Sequence, residues 1–285
     1  MIVAQLLGAP GTPVGNVAAP TFAIVPGPGA YAAQEQEEAS SCGTPRRSSA
    51  GVDTLRGCRF IYVDLGSNIG LQLKKLYEPA VCPTAPVQRI FSHHFLQGRR
   101  GVCSLAVEPN PDHAHKLRGL CERYSTNGSH VQVLEAAAAA TEGTANFFFN
   151  LRKADGHHHH AWGASLTEHT PSTAAAAEGA GGATSVQVAT VDAAALLRRV
   201  LPPPGANSTV VMKLDVEGEE SRLVPRLLAA GVLCGIAEVY YEAHGSEAHR
   251  VIGGAADQLK RAGCGVALTQ LDDESGCGEM SQRSR

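Results

Sequence analysis

The sequence predicts an α/β fold, doubly wound around a mostly parallel sheet. Short runs rich in β-branched and aromatic residues, the composition of strands buried on both faces, recur from Phe60 onward. Segments of helical periodicity with capping residues separate them, and strands alternating with helices give a parallel sheet covered on both sides. At 285 residues, 44 % hydrophobic and 18 % charged, the chain is long enough for one large domain plus flanking segments.

Residues 1–50 are dominated by Ala, Gly, Pro and Ser, carry no charge before Glu35, and contain PGTP and PGPGA. Such a stretch cannot build a periodic element, so it reads as a disordered or targeting leader. No basic region precedes an apolar core, and arginine first appears at Arg46 and Arg47, which favours a linker over a signal or transit peptide. The folded domain is expected over 51–275, with a flexible tail over 276–285.

Phe60-Ile61-Tyr62-Val63 begins the first strand, and residues 71–77, with apolar Leu71, Leu73 and Leu76, continue as a short helix after a glycine turn. The insertion 78–100, carrying Phe91, His93, His94 and Phe95, either packs on the helix layer or roofs a pocket. SLAVE, residues 104–108, is the second strand; Asn110-Pro111 then opens a helix to about Tyr124, asparagine as cap and proline in the first turn. Residues 131–135 form the third strand. Accessory strands are expected at 144–150 and 185–190, with a polar loop between them. TVVMKLD, residues 209–215, is the fourth core strand, followed by a helix over 219–230, a fifth strand over 233–242, a helix over 246–262 and a sixth strand over 265–271.

No window approaches the roughly 18 to 20 apolar residues of a membrane-spanning helix. A net charge of -3 without a clustered basic stripe argues against a nucleic-acid partner. A small-molecule or glycan acceptor fits better. The eight cysteines (42, 58, 82, 103, 121, 234, 264 and 277) show no CxxC spacing and are expected to be mostly reduced, buried or incidental. Asn127-Gly128-Ser129 and Asn207-Ser208-Thr209 are glycosylation acceptor patterns, so a secretory route stays open beside a cytoplasmic or organellar one.

In doubly wound sheets, ligands bind beyond the carboxyl ends of the strands. Asp64, Glu108, Glu135, Asp215 with Glu217, and Glu242 all fall at or just after strand ends. In VDLGSNIG, Gly66 and Gly70 remove Cβ atoms where a ligand must approach the backbone, and Asn68 tolerates left-handed dihedrals. The spacing is D-x-G-x-N-x-G, not the G-x-G-x-x-G of a dinucleotide site. Asp64, an acid preceding the turn and expected to face the ligand, suits a cationic ligand without phosphates, such as S-adenosylmethionine. Glu108 can accept both hydroxyls of a ribose.

VDLGSNIG, AVEPNP and VVMKLDVEGEE, in that order, resemble the signature of the FkbM-type methyltransferases, a class I, Rossmann-like family dependent on S-adenosylmethionine. The resemblance spans roughly residues 58–245. It implies a seven-stranded sheet, although only one strand is evident after the last helix. It also implies that the glycine turn holds the methionine part of the cofactor and that Glu108 holds the ribose. The cofactor-binding set is then Asp64, Gly66, Ser67, Asn68, Gly70, Glu108, Asn110, Glu135, Ala136, Asp215 and Glu217.

Methyl transfer is an in-line displacement, so the protein supplies proximity and alignment. A hydroxyl acceptor also needs a base; His244 is the best-placed histidine, with Asp215, Glu238 and Glu242 as rivals. Asp215 and Glu217 need a cationic partner, and Lys213 is one candidate. No carboxylate or cysteine is spaced to complete a metal site around His157-His158-His159-His160, so no metal is expected. Trp162 in the same loop suits a lid, an acceptor surface or a core anchor. Two other functions are weighed. A nicotinamide oxidoreductase has the wrong glycine spacing, and Glu108 lies far beyond the roughly 20 residues of that fingerprint. A non-catalytic binding module of the same fold is the other alternative.

Overall fold

The computed structural model describes residues 42, 46–95, 99–149, 166, 184–203 and 205–273. The leader up to residue 41, the His157–His160 run, Trp162 and the tail 276–285 lie outside them.

Six parallel strands form the central sheet: β1 (Phe60–Leu65), β2 (Val102–Val107), β3 (Val131–Leu134), β7 (Thr209–Leu214), β8 (Glu238–Tyr241) and β9 (Ala267–Gln270), in the spatial order β3-β2-β1-β7-β8-β9. The chain builds outward from β1 to β3, then crosses back to lay β7 on the other side of β1. That reversal, between β1 and β7, is the topological switch point. β4 (Ala137–Ala139), β5 (Gly143–Phe149) and β6 (Thr184–Asp192) make a separate three-stranded sheet on the crossover. β5 and β6 are the expected accessory strands; β4 is an Ala-Ala-Ala run with no strand-forming composition, paired through Thr190 to Asp192.

Helices cover both faces. α1 (Leu71–Tyr77), α2 (Gln88–Phe95) and α3 (Pro111–Thr126) pack on one; α4 (Ala193–Val200), α5 (Glu220–Ala229) and α6 (Gly245–Arg261) pack on the other. Asn110 accepts the backbone N–H of Asp112 with its side chain, and Pro111 follows at the first helical position, as the sequence predicts. The insertion holds α2, whose Ile90, Phe91 and Phe95 are buried against Phe60, Tyr62 and Tyr240. It belongs to the helix layer. α4 carries Ala and Leu behind an Asp192 cap that the sequence reading did not single out.

Two expectations are corrected. The fifth strand does not begin at Leu233: Val232–Gly235 is a 3-10 turn after Gly231, whose φ of 70° ends the preceding helix, and Cys234 is bonded to Cys264. The cysteines are not mostly reduced. Cys42–Cys121, Cys58–Cys103 and Cys234–Cys264 are disulfides, Cys82 is also disulfide-bonded, and no described cysteine is free. Partners 79, 45 and 30 residues apart meet only through the fold, so sequence spacing gave no sign of them. The fold also reaches back before residue 51. Besides the Cys42 bond, Arg46 donates to Gln132 at 2.6 Å, and its carbonyl accepts the Glu135 N–H at 2.7 Å.

Candidate functional site

The turn after β1 is built for close approach. Gly66 has φ 84°, and its N–H donates to the carbonyl of Val107. A Cβ there would lie 1.7 Å from the carbonyl oxygen of Asp215, so β1 and β7 meet at the switch point only over glycine. Asn68 follows in the left-handed region at φ 51°, its side chain accepting the N–H of Ile69. Ser67, buried, donates to the carbonyl of Asp64, and Gly70, at φ 81°, precedes α1.

Glu108, at the tip of β2, is the hub of this edge. One carboxylate oxygen accepts the N–H of Asn68 at 2.7 Å and the other that of Asn110 at 2.9 Å, with His113 Nδ1 3.4 Å from the latter. A carboxylate has about four acceptor positions, so capacity remains for further donors. Glu108 lines a pocket with Gly66, Ala137, Phe147, Leu166, Asp215 and Glu217. The free space there is about 50 Å³, well under the roughly 300 Å³ of ordinary small-molecule pockets. A larger groove of about 410 Å³ lies between α1 and α3, walled by Leu71, Lys74, Lys116 and Leu120. Ile69 and Gly70 of the glycine turn reach it, but it holds no carboxylate and carries Lys74, Lys116 and Arg123, so chemistry favours the smaller pocket.

KLDVEGEE forms the opposite wall. Lys213 Nζ lies 2.8 Å from Asp215 Oδ2, donates to the Gly66 carbonyl at 2.8 Å, and comes within 4.0 Å of Asp64. After Asp215 the chain turns sharply, with Glu217 at φ 52° and Gly218 at φ 102°. Glu220 fastens the turn, its two oxygens accepting the N–H groups of Val216 and Gly218. His244, at the start of α6, completes the group. Glu220 Oε1 is 3.0 Å from its Nδ1, while Glu217, Glu242 and Asp215 surround its Nε2.

This environment changes the acid–base character of two groups. Hydrogen bonding to Glu220 and then Glu242 raises the His244 imidazole from 6.5 to about 11. It is therefore protonated at neutral pH, with no lone pair to serve as a base in this state. Burial, then the nearby charges of Asp215 and Glu242, raises the Glu217 carboxyl to about 7 against the opposing pull of His244.

The structure brings Gly66, Glu108, Asp215 and Glu217 to one pocket and holds Ser67, Asn68, Gly70 and Asn110 in the turn and cap beside it. Asp64 is fully buried, on the face of β1 that carries Tyr62, with Lys213 Nζ 4.0 Å away. Glu135 turns to Arg118, and Ala137 and Ala138 line the pocket in place of Ala136. Glu220 and Phe147 were missed. The first reads as one more acid in a charged run, the second as one of three successive phenylalanines in an accessory strand. Among the described residues, no helix is long and apolar enough to cross a membrane. Compared with protein-family models, with curated proteins and with solved structures, the chain matches none of them.

Proposed function

We propose that the chain is an S-adenosylmethionine-dependent methyltransferase acting on a hydroxyl of a sugar or another small compound. The observation that carries this reading is the placement of Glu108: a carboxylate at the tip of β2, held by two backbone N–H groups beside a glycine turn at the switch point. The FkbM-type order of motifs supports it, as does the absence of a dinucleotide spacing.

The residues suit that cofactor chemically. Glu108 retains acceptor positions for two ribose hydroxyls, Phe147 and Leu166 offer an apolar surface to a base, and Asp215 and Glu217 place negative charge where a sulfonium would sit. When bound, the cofactor supplies a methyl group on positively charged sulfur. The chain's own contribution is alignment of the acceptor oxygen and a destination for its proton. That destination falls to the Asp215, Glu217 and Glu242 cluster, because His244 is already protonated.

Calorimetry of the purified chain tests the reading. S-adenosylmethionine and S-adenosylhomocysteine should bind in the micromolar range and NAD should not; binding of NAD alone overturns it. Glu108→Gln should cost about 1.5 to 3 kcal/mol of cofactor affinity.

A further inference from the structure

His244 stands at the centre of a set of carboxylates, two of which, Asp215 and Glu217, also line the cofactor pocket. Its Nε2 lies 3.4 Å from Glu217 Oε2, 3.4 Å from Glu242 Oε1 and 3.8 Å from Asp215 Oδ1. The Asp215, Glu217 and His244 separations are of the size that lets one divalent ion touch all three groups at about 2.1 Å from nitrogen or oxygen. Its Nδ1 is engaged by Glu220, which backbone N–H groups hold in place. A carboxylate on one imidazole nitrogen fixes the ring and leaves the other to a metal, the usual support of a metal-ligating histidine.

Asp215 supplies a second observation. It is 8 % exposed, and Lys213 pairs with its Oδ2. Its Oδ1 is buried without a hydrogen-bond partner and points toward His244 Nε2. A buried carboxylate oxygen in that condition is costly unless a positive group meets it. Ligand atoms of Asp215, Glu217 and His244 all lie within 4.8 Å of one another.

We infer that Asp215, Glu217 and His244 bind one divalent cation at the carboxyl ends of β7 and β8. The ion takes the place of the proton on Nε2. One imidazole and two carboxylates suit a borderline or hard ion such as Zn²⁺ or Mn²⁺. The role of the ion rests on the methyl-transfer reading: Asp215 and Glu217 also line the cofactor pocket, so the cation would bind the acceptor's hydroxyl oxygen and lower its pKa, the proton passing to the Glu242 carboxylate beside it.

The test is a titration of the chelator-treated full chain with Mn²⁺, followed by calorimetry and by loss of the free-ion paramagnetic signal, with Zn²⁺ and Mg²⁺ for comparison. One Mn²⁺ per chain is expected. Asp215→Asn and Glu217→Gln should each weaken binding at least tenfold, and Glu220→Gln by about 10- to 100-fold. Circular dichroism establishes folding of each variant, and the partly exposed Glu217 position decides the matter where Asp215→Asn does not fold. The inference is overturned if the folded chain takes up neither Mn²⁺ nor Zn²⁺, or if Glu217→Gln leaves the affinity unchanged. S-adenosylhomocysteine is titrated separately into metal-free protein. Its binding without any metal uptake sinks the cation site alone, whereas metal uptake without cofactor binding sinks the methyl-transfer reading alone.

Elsewhere on the molecule, every described cysteine is disulfide-bonded, and the two acceptor asparagines, Asn127 and Asn207, are exposed. Each lies in a loop leading into the amino end of a strand, β3 or β7, opposite the pocket. Disulfides of long separation form and persist in oxidising compartments. We further infer that the chain matures in such a compartment and carries N-linked glycans on Asn127 and Asn207. Expression through a eukaryotic secretory pathway should give a mass that falls on enzymatic deglycosylation, in two steps abolished singly by Asn127→Gln and Asn207→Gln. An unmodified mass at both positions, or free thiols titrating in the native secreted chain, overturns it.

Discussion

The two faces of the central sheet are built from alternate residues of the same strands, yet they are held by different forces. Under α4, α5 and α6, Ile61, Val63, Leu65, Leu105, Val107, Val210 and Met212 form an aliphatic surface almost wholly removed from water. Under α1, α2 and α3, the intervening positions place Tyr62, Asp64, Lys213 and Tyr240 in the interior, beside an ion pair between Lys75 and Asp273 that is fully buried on both sides. The first face is stabilised by area, which is non-directional. The second also buries apolar residues such as Leu73, Leu76, Phe91 and Leu117, but in addition depends on partners, because a buried polar group is costly unless it is satisfied. The difference bears on function. Along β7 the partnered face runs Val211, Lys213 and then Asp215, so the polar interior continues directly into the site.

Gly66 lies at the seam of this arrangement and should show the largest effect. In Gly66→Ala a methyl group 1.7 Å from the Asp215 carbonyl forces β1 and β7 apart at the switch point, in a conformation that L residues rarely adopt. A loss of about 4 kcal/mol is expected, at the upper end for single substitutions, together with cofactor binding. Chemical denaturation with parallel calorimetry reads both; near-native values would show that the turn can relax.

The ion pair comes next. Asp273 accepts from Lys75 at 2.9 Å and from the Val87 N–H at 2.9 Å, while its carbonyl accepts from Gln72. Asp273→Ala should cost about 3 to 5 kcal/mol, because it leaves a charge buried without its counter-ion. The double variant Lys75→Met, Asp273→Leu should recover most of that loss. If it does not, the partnered face depends on the pair's geometry beyond charge compensation.

The same contrast shows what could be read from sequence. Strand and helix order followed from composition and capping, since a run such as Phe60-Ile61-Tyr62-Val63 reports burial on both faces without reference to distant residues. The direction of a particular side chain did not. Asp64 is buried beside Tyr62 and Lys213 because of the helices packed on that face of β1, which come from distant parts of the chain. The disulfides and the Glu220–His244 contact were hidden for a related reason: their partners are far apart in the chain, and only the packing of α5 and α6 on the sheet brings the latter two together. Glu108 was legible because its meaning is local, an acid at a strand tip two residues before a helix cap.

On the aliphatic face, Leu105→Ala should cost about 3 kcal/mol, from lost transfer energy and the cavity left behind. Leu105→Met, which conserves volume, should cost under about 1.5 kcal/mol. Equal penalties for the two would mean that this face is also specified by shape, which weakens the contrast.

The smallest effect addresses the partnered face most directly. Tyr62 and Tyr240 share a hydrogen bond of 2.6 Å between their hydroxyls, with rings 6.4 Å apart and nearly parallel. Burial foremost, and then the charge of Asp64, holds both phenols well above their ordinary range. Tyr62→Phe or Tyr240→Phe alone leaves one hydroxyl without this partner, at a cost of about 1 to 2 kcal/mol. Removing both hydroxyls leaves two rings of unchanged shape, so the double variant should cost less than the sum of the single losses. Its interaction energy, from denaturation of all four proteins, measures how far the hydroxyls act as a unit. Strict additivity would mean that each hydroxyl is satisfied independently, and that the two faces differ in composition but not in the cooperativity of their contacts.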